Sequence, residues 1–208
     1  MIESYLSVSG ENESETVIER SRFICRVKRI GNEDEARAFI EGVRKVHSQA
    51  THNCYAYVAS EDGNICRFSD DGEPQGTAGL PMLEALKNRS LAMTAAVVTR
   101  YFGGIKLGAG GLVRAYSGSV TDCLNRSAIV SNEFSAEIKI TLPYEDYSVF
   151  LKFVSDKKIK ILRSDFAGNI AITCVLPRIS IKTFTDGLND ALLGRLTYER
   201  TGEYFFSY

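Results

Sequence analysis

The 208-residue sequence has no excess of either charge: 25 lysines and arginines stand against 26 aspartates and glutamates, for a formal net charge of −1. Split at Asn132, the counts are 15 cations to 16 anions and then 10 to 10. A generally basic nucleic-acid binder is excluded, so any anion site has to be local. The five cysteines are odd in number, scattered and never in C-x-x-C spacing. That pattern suggests neither a disulfide framework nor a zinc site, and buried reduced thiols are expected. No apolar run approaches the roughly 20 residues that span a bilayer. The N-terminal MIESYLSVSG also lacks the basic and apolar regions of a signal peptide, so a cytoplasmic protein is expected. Neither G-x-x-x-x-G-K-[ST] nor G-x-G-x-x-G occurs, and no cofactor or metal is called for.

What the chain does have is organised around Thr99 to Tyr116, TRYFGGIKLGAGGLVRAY. The apolar run at 93–98 before it reads as a buried strand. Leu112, Ala115, Tyr116, Ser119, Val120, Cys123 and Leu124 after it follow helical period. The order is therefore strand, glycine-rich loop, helix. Five glycines within nine residues, Gly103, Gly104, Gly108, Gly110 and Gly111, let the backbone take positive φ and let another molecule approach its N–H groups. A helix N-terminus after such a loop offers unpaired donors and the positive end of a dipole, and Arg100, Lys106 and Arg114 flank it. Two readings are open: a phosphate cradle, or a tight connection whose glycines serve close packing.

Ahead of this stretch, residues 5–9 and 16–30 read as strands. The second carries Arg22, Arg26 and Lys28 on one face, which is either a solvated outer face or a binding surface. Asn32 is placed to cap a helix with Glu35 reaching back, its buried stripe being Ala36, Phe39, Ile40, Val43 and Val46. Residues 52–58 and 65–68 form a hairpin about the turn at 61–64. His52 and Cys54 invite catalytic roles, but a hydrogen-bonded structural histidine and a buried thiol are favoured over general base and nucleophile. Asp70, Asp71 and Glu73 lie within four positions of a turn-forming loop. Turn formation with ion pairing is favoured over a magnesium site. The sharper expectation is that this loop lies against Arg100, Lys106 and Arg114, so that the two loops form one charged cleft. Pro81 then falls in the first turn of a short helix.

After Asn132 the pattern changes, and a domain boundary is expected there, giving 1–132 and 133–208. The second part reads as strand, helix, two strands, helix and strand, the βαββαβ ferredoxin-like plan. Lys157, Lys158 and Lys160 are its only cation cluster, and it lacks the aromatic pair of an RNA-stacking platform. It is expected to serve as a docking module.

Four motifs in order, SRFIC at 21–25, HNCYAY at 52–57, FSDDGEPQGTAG at 68–79 and RYFGGIKLGAGGLVRAY at 100–116, resemble the YigZ/IMPACT family. The length and the second half are similar to the bacterial members. The resemblance implies an α+β protein of two domains: a ribosomal protein S5 domain 2-like α/β sandwich, then a ferredoxin-like domain akin to a late domain of elongation factor G. It also implies a role in translation regulation or nucleic-acid binding. Eukaryotic members have a further N-terminal domain that engages a protein partner. Only 20 residues precede the first motif here, so that partnership is not carried over. The expectation is a non-enzymatic regulator that contacts ribosome, RNA or an acidic partner surface through the glycine loop. Two alternatives stay open. One is a hydrolase or transferase cleft of His52, Asp70, Asp71, Glu73, Arg100 and Lys106 acting on a phosphorylated small molecule. The other is a pure protein-interaction module.

Overall fold

The structure, a computed structural model, describes residues 2–155, 157 and 159–208, and its contacts divide into two units built on Ser4–Ser131 and Asn132–Tyr208. The first unit runs β1 (Ser4–Val8), β2 (Glu11–Ile18), β3 (Ser21–Arg29), α1 (Glu33–Val46), β4 (His52–Val58), β5 (Cys66–Ser69), α2 (Gly79–Asn88), β6 (Thr94–Tyr101) and α3 (Gly108–Asn125). Five of its strands make an antiparallel sheet in the order β2-β3-β6-β4-β5. Helix α1 covers one face, burying Ala36, Phe39, Ile40 and Val43 against Tyr57, Ala95 and Val97. The other face packs Phe23, Cys25, Cys54, Ala56, Ala96 and Val98 against Met82 and Leu86 of α2 and Leu112, Tyr116 and Val120 of α3. Strand β6 is therefore buried on both faces, which is why it reads as a continuous apolar run rather than an alternating one.

Residues 16–30 do not form one strand. They break at Glu19 and Arg20, whose φ values of 46° and 62° make a two-residue hairpin turn between β2 and β3. Nothing local announces it, because primed turns ordinarily use Gly, Asn or Asp at these positions. The turn is instead held from outside: a Cβ on Gly103 would lie 2.1 Å from the carbonyl carbon and oxygen of Arg20, so only glycine fits beneath it. The basic face of β3 is neutralised by its neighbour. Arg22 pairs with Glu15 at 2.9 Å, Lys28 with Glu11 at 3.3 Å, and Arg26 with Glu13. A ladder of cross-strand ion pairs, not an open cationic surface, occupies this face. Asn32 caps α1 by accepting from the Glu35 N–H at 2.9 Å, while the Glu35 carboxylate accepts from Gly31 N–H at 2.8 Å. That return bond reaches one residue further back than in a standard capping box.

The second unit runs β7 (Ile129–Leu142), α4 (Tyr147–Val154), β8 (Lys160–Phe166), β9 (Ile170–Pro177), α5 (Ile181–Ala191) and β10 (Thr197–Ser207). The unit boundary falls inside β7, which begins five residues before the start expected at Phe134. The antiparallel order β10-β7-β9-β8 completes the ferredoxin-like βαββαβ plan. Its core alternates as a half-covered sheet requires: Ile138, Ile140, Leu142, Ile170, Ile172 and Leu176 face Phe150 of α4 and Phe184 and Leu188 of α5. Of the expected lysine cluster, Lys158 lies outside the described residues. The whole is an α+β protein with two sheets.

Candidate functional site

Strand β4 carries His52 and Cys54, and the loop that follows β5 returns over them before α2 begins. The three carboxylates of this loop take three different jobs. Asp70 accepts the backbone N–H groups of Gly76, Ala78 and Gly79 at 2.8, 3.0 and 2.9 Å, closing the loop and satisfying free donors at the start of α2. Asp71, at φ 43°, accepts from Asn53 N–H at 2.6 Å and pairs with Arg44 of α1 at 3.0 Å. Glu73 turns inward, 9% exposed, and meets Arg100 of β6, Nη1 to Oε1 2.7 Å. The Tyr116 hydroxyl of α3 donates to the same Oε1 at 2.7 Å. Among the described residues no three His, Cys, Asp or Glu side chains are grouped to hold a metal ion.

Burial acts to raise the Asp70 carboxyl, but its backbone hydrogen bonds together outweigh this and hold it below the ordinary 3.8. A depressed folded-state pKa contributes stability above the unfolded value, which is lost as pH falls through the folded pKa. Urea titrations across an acidic pH series should therefore show Asp70→Asn less stable than wild type at neutrality. Its acid limb below 3.8 should also be flatter. Parallel acid limbs would show that the carboxylate charge does not hold this loop.

His52 and Cys54 are built into the same wall. A carbonyl only accepts, so the 2.8 Å contact between His52 Nδ1 and the Asp71 oxygen places a proton on Nδ1. The other ring nitrogen, Nε2, faces Glu73 Oε2 at 3.8 Å. The Cys54 thiol donates to the Asp70 carbonyl at 3.0 Å, and burial pushes it up to about 12, so it is a protonated donor rather than a thiolate nucleophile. Burial likewise pushes the Tyr116 phenol well up, which keeps it a donor to Glu73.

Above this floor opens a cleft of about 430 Å³, lined by Thr51, His52, Glu73, Pro74, Arg100, Phe102, Lys106, Leu107, Gly108, Ala109 and Leu112. The structure thus brings His52, Glu73, Arg100, Lys106 and Gly108 to one place. Asp70 and Asp71 stand behind it, tied to backbone and to Arg44. Arg114 does not line the cleft: it is exposed one turn along α3, and its Nη1 lies 3.7 Å from where a Cβ on Gly110 would sit. The glycines divide in the same way. Gly103 packs under the β2–β3 turn, and Gly111 packs against Leu107, whose Cβ would be 3.0 Å from an added Cβ. Gly104, Gly108 and Gly110 border open space, with φ of 88° and 68° at the first two. The first-turn N–H groups of α3, like those of any helix, have no intrahelical partners, and no side chain caps them.

Arg100 is 5% exposed, yet its Nε has no partner, its other nitrogens reaching Glu73 and, at 3.4 Å, Ser21 Oγ. Lys106 is exposed in the cleft wall. Tyr116 was legible in the sequence only as an apolar position of the α3 stripe, because its hydroxyl contact with Glu73 spans 43 residues. Phe102, a second cleft residue, gave no signal beyond its place in the glycine motif.

A two-domain α+β protein whose first domain presents a cationic cleft at an uncapped helix start is the class that this geometry defines. Residues 19–124 match the family model described as the Impact N-terminal domain. The chain is 42% identical over 205 residues to the IMPACT family member YvyE of Bacillus subtilis, covering 95% of this chain and 94% of that one. It is 36% identical over 181 residues to the IMPACT family member YigZ of Escherichia coli, covering 86% and 89%. A crystal structure described only as that of a hypothetical protein superposes with a TM-score of 0.64 at 34% identity, over 97% of this chain and 99% of its own. The chain belongs to the IMPACT family. No helix among the described residues is long and apolar enough to cross a membrane.

Proposed function

We propose that this protein is a cytoplasmic, non-enzymatic regulator of translation that binds ribosomal or other RNA through the cleft at the start of α3. The observation that carries the reading is the meeting of Arg100, Lys106 and the uncapped first turn of α3 in one cavity, an arrangement that favours a phosphate. Family membership supports the connection to translation. The near-neutral net charge supports a confined contact over a spread electrostatic one. The ferredoxin-like unit, with its alternating core, is read as a docking module.

Co-sedimentation with ribosomes and with bulk RNA over a salt series tests this. Binding should fall steeply with salt, and Lys106→Ala should lower the log–log slope by about one unit, as expected when one phosphate contact is lost. Binding that is independent of salt would remove RNA as the partner. A second reading, hydrolysis of a phosphorylated small molecule, draws on His52 Nε2 opening toward Glu73 in the same cleft. Turnover of a phosphate ester by wild type that is lost in His52→Gln would favour it.

A further inference from the structure

The cleft has features that phosphate binding alone does not use. Phe102 is 47% exposed at its rim, and its ring lies 5.4 Å from the Arg100 guanidinium carbon, so the cation backs the ring. An exposed aromatic ring beside cations is the element on which proteins stack an unpaired base. Pro74, Leu107 and Leu112 supply further apolar wall, and the volume of about 430 Å³ suits one small ligand rather than a length of duplex. At the other end lies the start of α3, which no side chain caps; a Cβ added at Gly108 would meet nothing within 4 Å, and one added at Gly110 only Nη1 of Arg114.

Charge narrows the ligand. Arg100 and Glu73 cancel, and Lys106 leaves the lining one positive charge in excess. His52 can add a donor at Nε2 only by taking up a second proton, since Nδ1 is committed to the Asp71 carbonyl. The several unpaired backbone donors of a helix start match the three terminal oxygens of a phosphomonoester better than an internal diester, which has two free oxygens and needs an exit for the chain on both sides. The buried, incompletely partnered Arg100 provides a second sign of a ligand, independent of the helix end: it lines the cleft, 5% exposed, and its Nε is without a hydrogen-bond partner.

We propose that the cleft holds a single nucleotide bearing a terminal phosphomonoester, its phosphate at the start of α3 beside Lys106 and its base against Phe102. The proposal rests on reading the cleft as a phosphate site and specifies what that site accepts. The ligand is either a free mononucleotide or the phosphorylated end of a single strand, and the two share the same recognition chemistry.

The test measures binding of the full chain, by calorimetry and fluorescence anisotropy, to inorganic phosphate, nucleoside monophosphates and a single-stranded RNA tetramer. The tetramer is supplied with a 5′-phosphate, with a 3′-phosphate or with neither, and a blunt duplex serves as the contrast. A phosphorylated tetramer should bind at least about ten-fold more tightly than the unphosphorylated one, the loss expected for one charge-assisted contact set. Phe102→Ala should weaken mononucleotide and tetramer by roughly five-fold to a hundred-fold, the range for loss of one base–aromatic stack, and leave inorganic phosphate unchanged. Gly110→Val keeps every charge and has room for its Cβ, but crowds the N–H groups, so it should weaken all phosphate-bearing probes together. A mononucleotide that binds as tightly as the tetramer makes free nucleotides the source. A tetramer that binds more tightly makes it a strand end.

Equal binding of phosphorylated and unphosphorylated tetramers overturns the proposal while leaving salt-dependent RNA binding through the cleft intact. Full binding by Phe102→Ala or Gly110→Val, once circular dichroism has shown each to be folded, also overturns it. Absence of binding by every phosphate-bearing probe removes both the proposal and the reading on which it rests.

Discussion

Replacing Glu73 by glutamine is expected to destabilise the protein by about 3–5 kcal/mol, the cost of leaving a buried charge without its partner. The Arg100 and Glu73 side chains are only 6% and 4% exposed and meet at 2.7 Å, so solvent cannot take over when the carboxylate is lost. The amide can still accept from Tyr116, and that hydrogen bond is the smaller part: Tyr116→Phe alone should cost about 1 kcal/mol. Replacing both Arg100 and Glu73 by methionine should recover most of the loss, because a buried pair gains little over well-packed apolar groups of similar volume. The same double variant should lose affinity for phosphate compounds, which separates the stability of the cleft floor from its ligand chemistry. Urea denaturation measures the first and the binding assays the second. A Glu73→Gln cost of no more than about 1 kcal/mol, the range of an exposed pair, would show that water reaches the guanidinium.

The second large effect is expected at Gly103. An alanine there would put its Cβ 2.1 Å from the Arg20 carbonyl carbon and oxygen and 2.5 Å from the Ser21 nitrogen, all backbone atoms that no rotamer change can withdraw. The chain can relieve the overlap only by separating the β2–β3 turn from the end of β6. That would also break the 3.1 Å bond from Gly103 N–H to Ser21 Oγ and release the positive-φ pair Glu19 and Arg20. The expected loss exceeds about 4–5 kcal/mol, at the far end of what single substitutions cost. Gly118, within α3, is the opposite case. Nothing lies within 4 Å of its added Cβ, so Gly118→Ala should stabilise by about 0.5–1 kcal/mol through helix propensity and backbone entropy. Thermal unfolding of the two variants side by side checks both signs. A Gly103→Ala protein that melts with wild type would mean that the turn has freedom to move away.

These two sites show where reading the residues in order succeeds and where it stops. Asn32 ahead of Glu35, the apolar stripe Ala36, Phe39, Ile40 and Val43, the alternation along β7 and β9, and the doubly buried β6 all express periods of two or 3.6 residues; Val46, expected in the same stripe, is the last residue of α1 and is exposed. Such periods are local, and they sufficed for the α+β class and the βαββαβ order. The four ordered motifs likewise sufficed for the family, since motif order is a property of the chain alone. The glycine-rich stretch after β6 was legible for the same reason, and with it Arg100 and Lys106 as candidate cations, although only Gly103 and Gly104 lie in the loop while Gly108, Gly110 and Gly111 belong to the first turn of α3.

Only the tertiary structure decided which of those residues meet. Residues 16–30 read as one strand because the turn at Glu19 and Arg20 contains no turn-forming residue and depends on Gly103, more than eighty positions away. Arg22, Arg26 and Lys28 read as a basic face because the glutamates opposite them belong to another strand, and pairing register brings the two together. Asp70, Asp71 and Glu73 look alike in sequence, yet a positive φ at Asp71 and the course of the loop send one to the backbone, one to Arg44 and one into the cleft. Arg114 follows the helical turn out to solvent while Tyr116, two residues on, points inward to Glu73. A charge is assigned its partner by burial and distance, and these are set by contacts across the fold that no window of sequence contains.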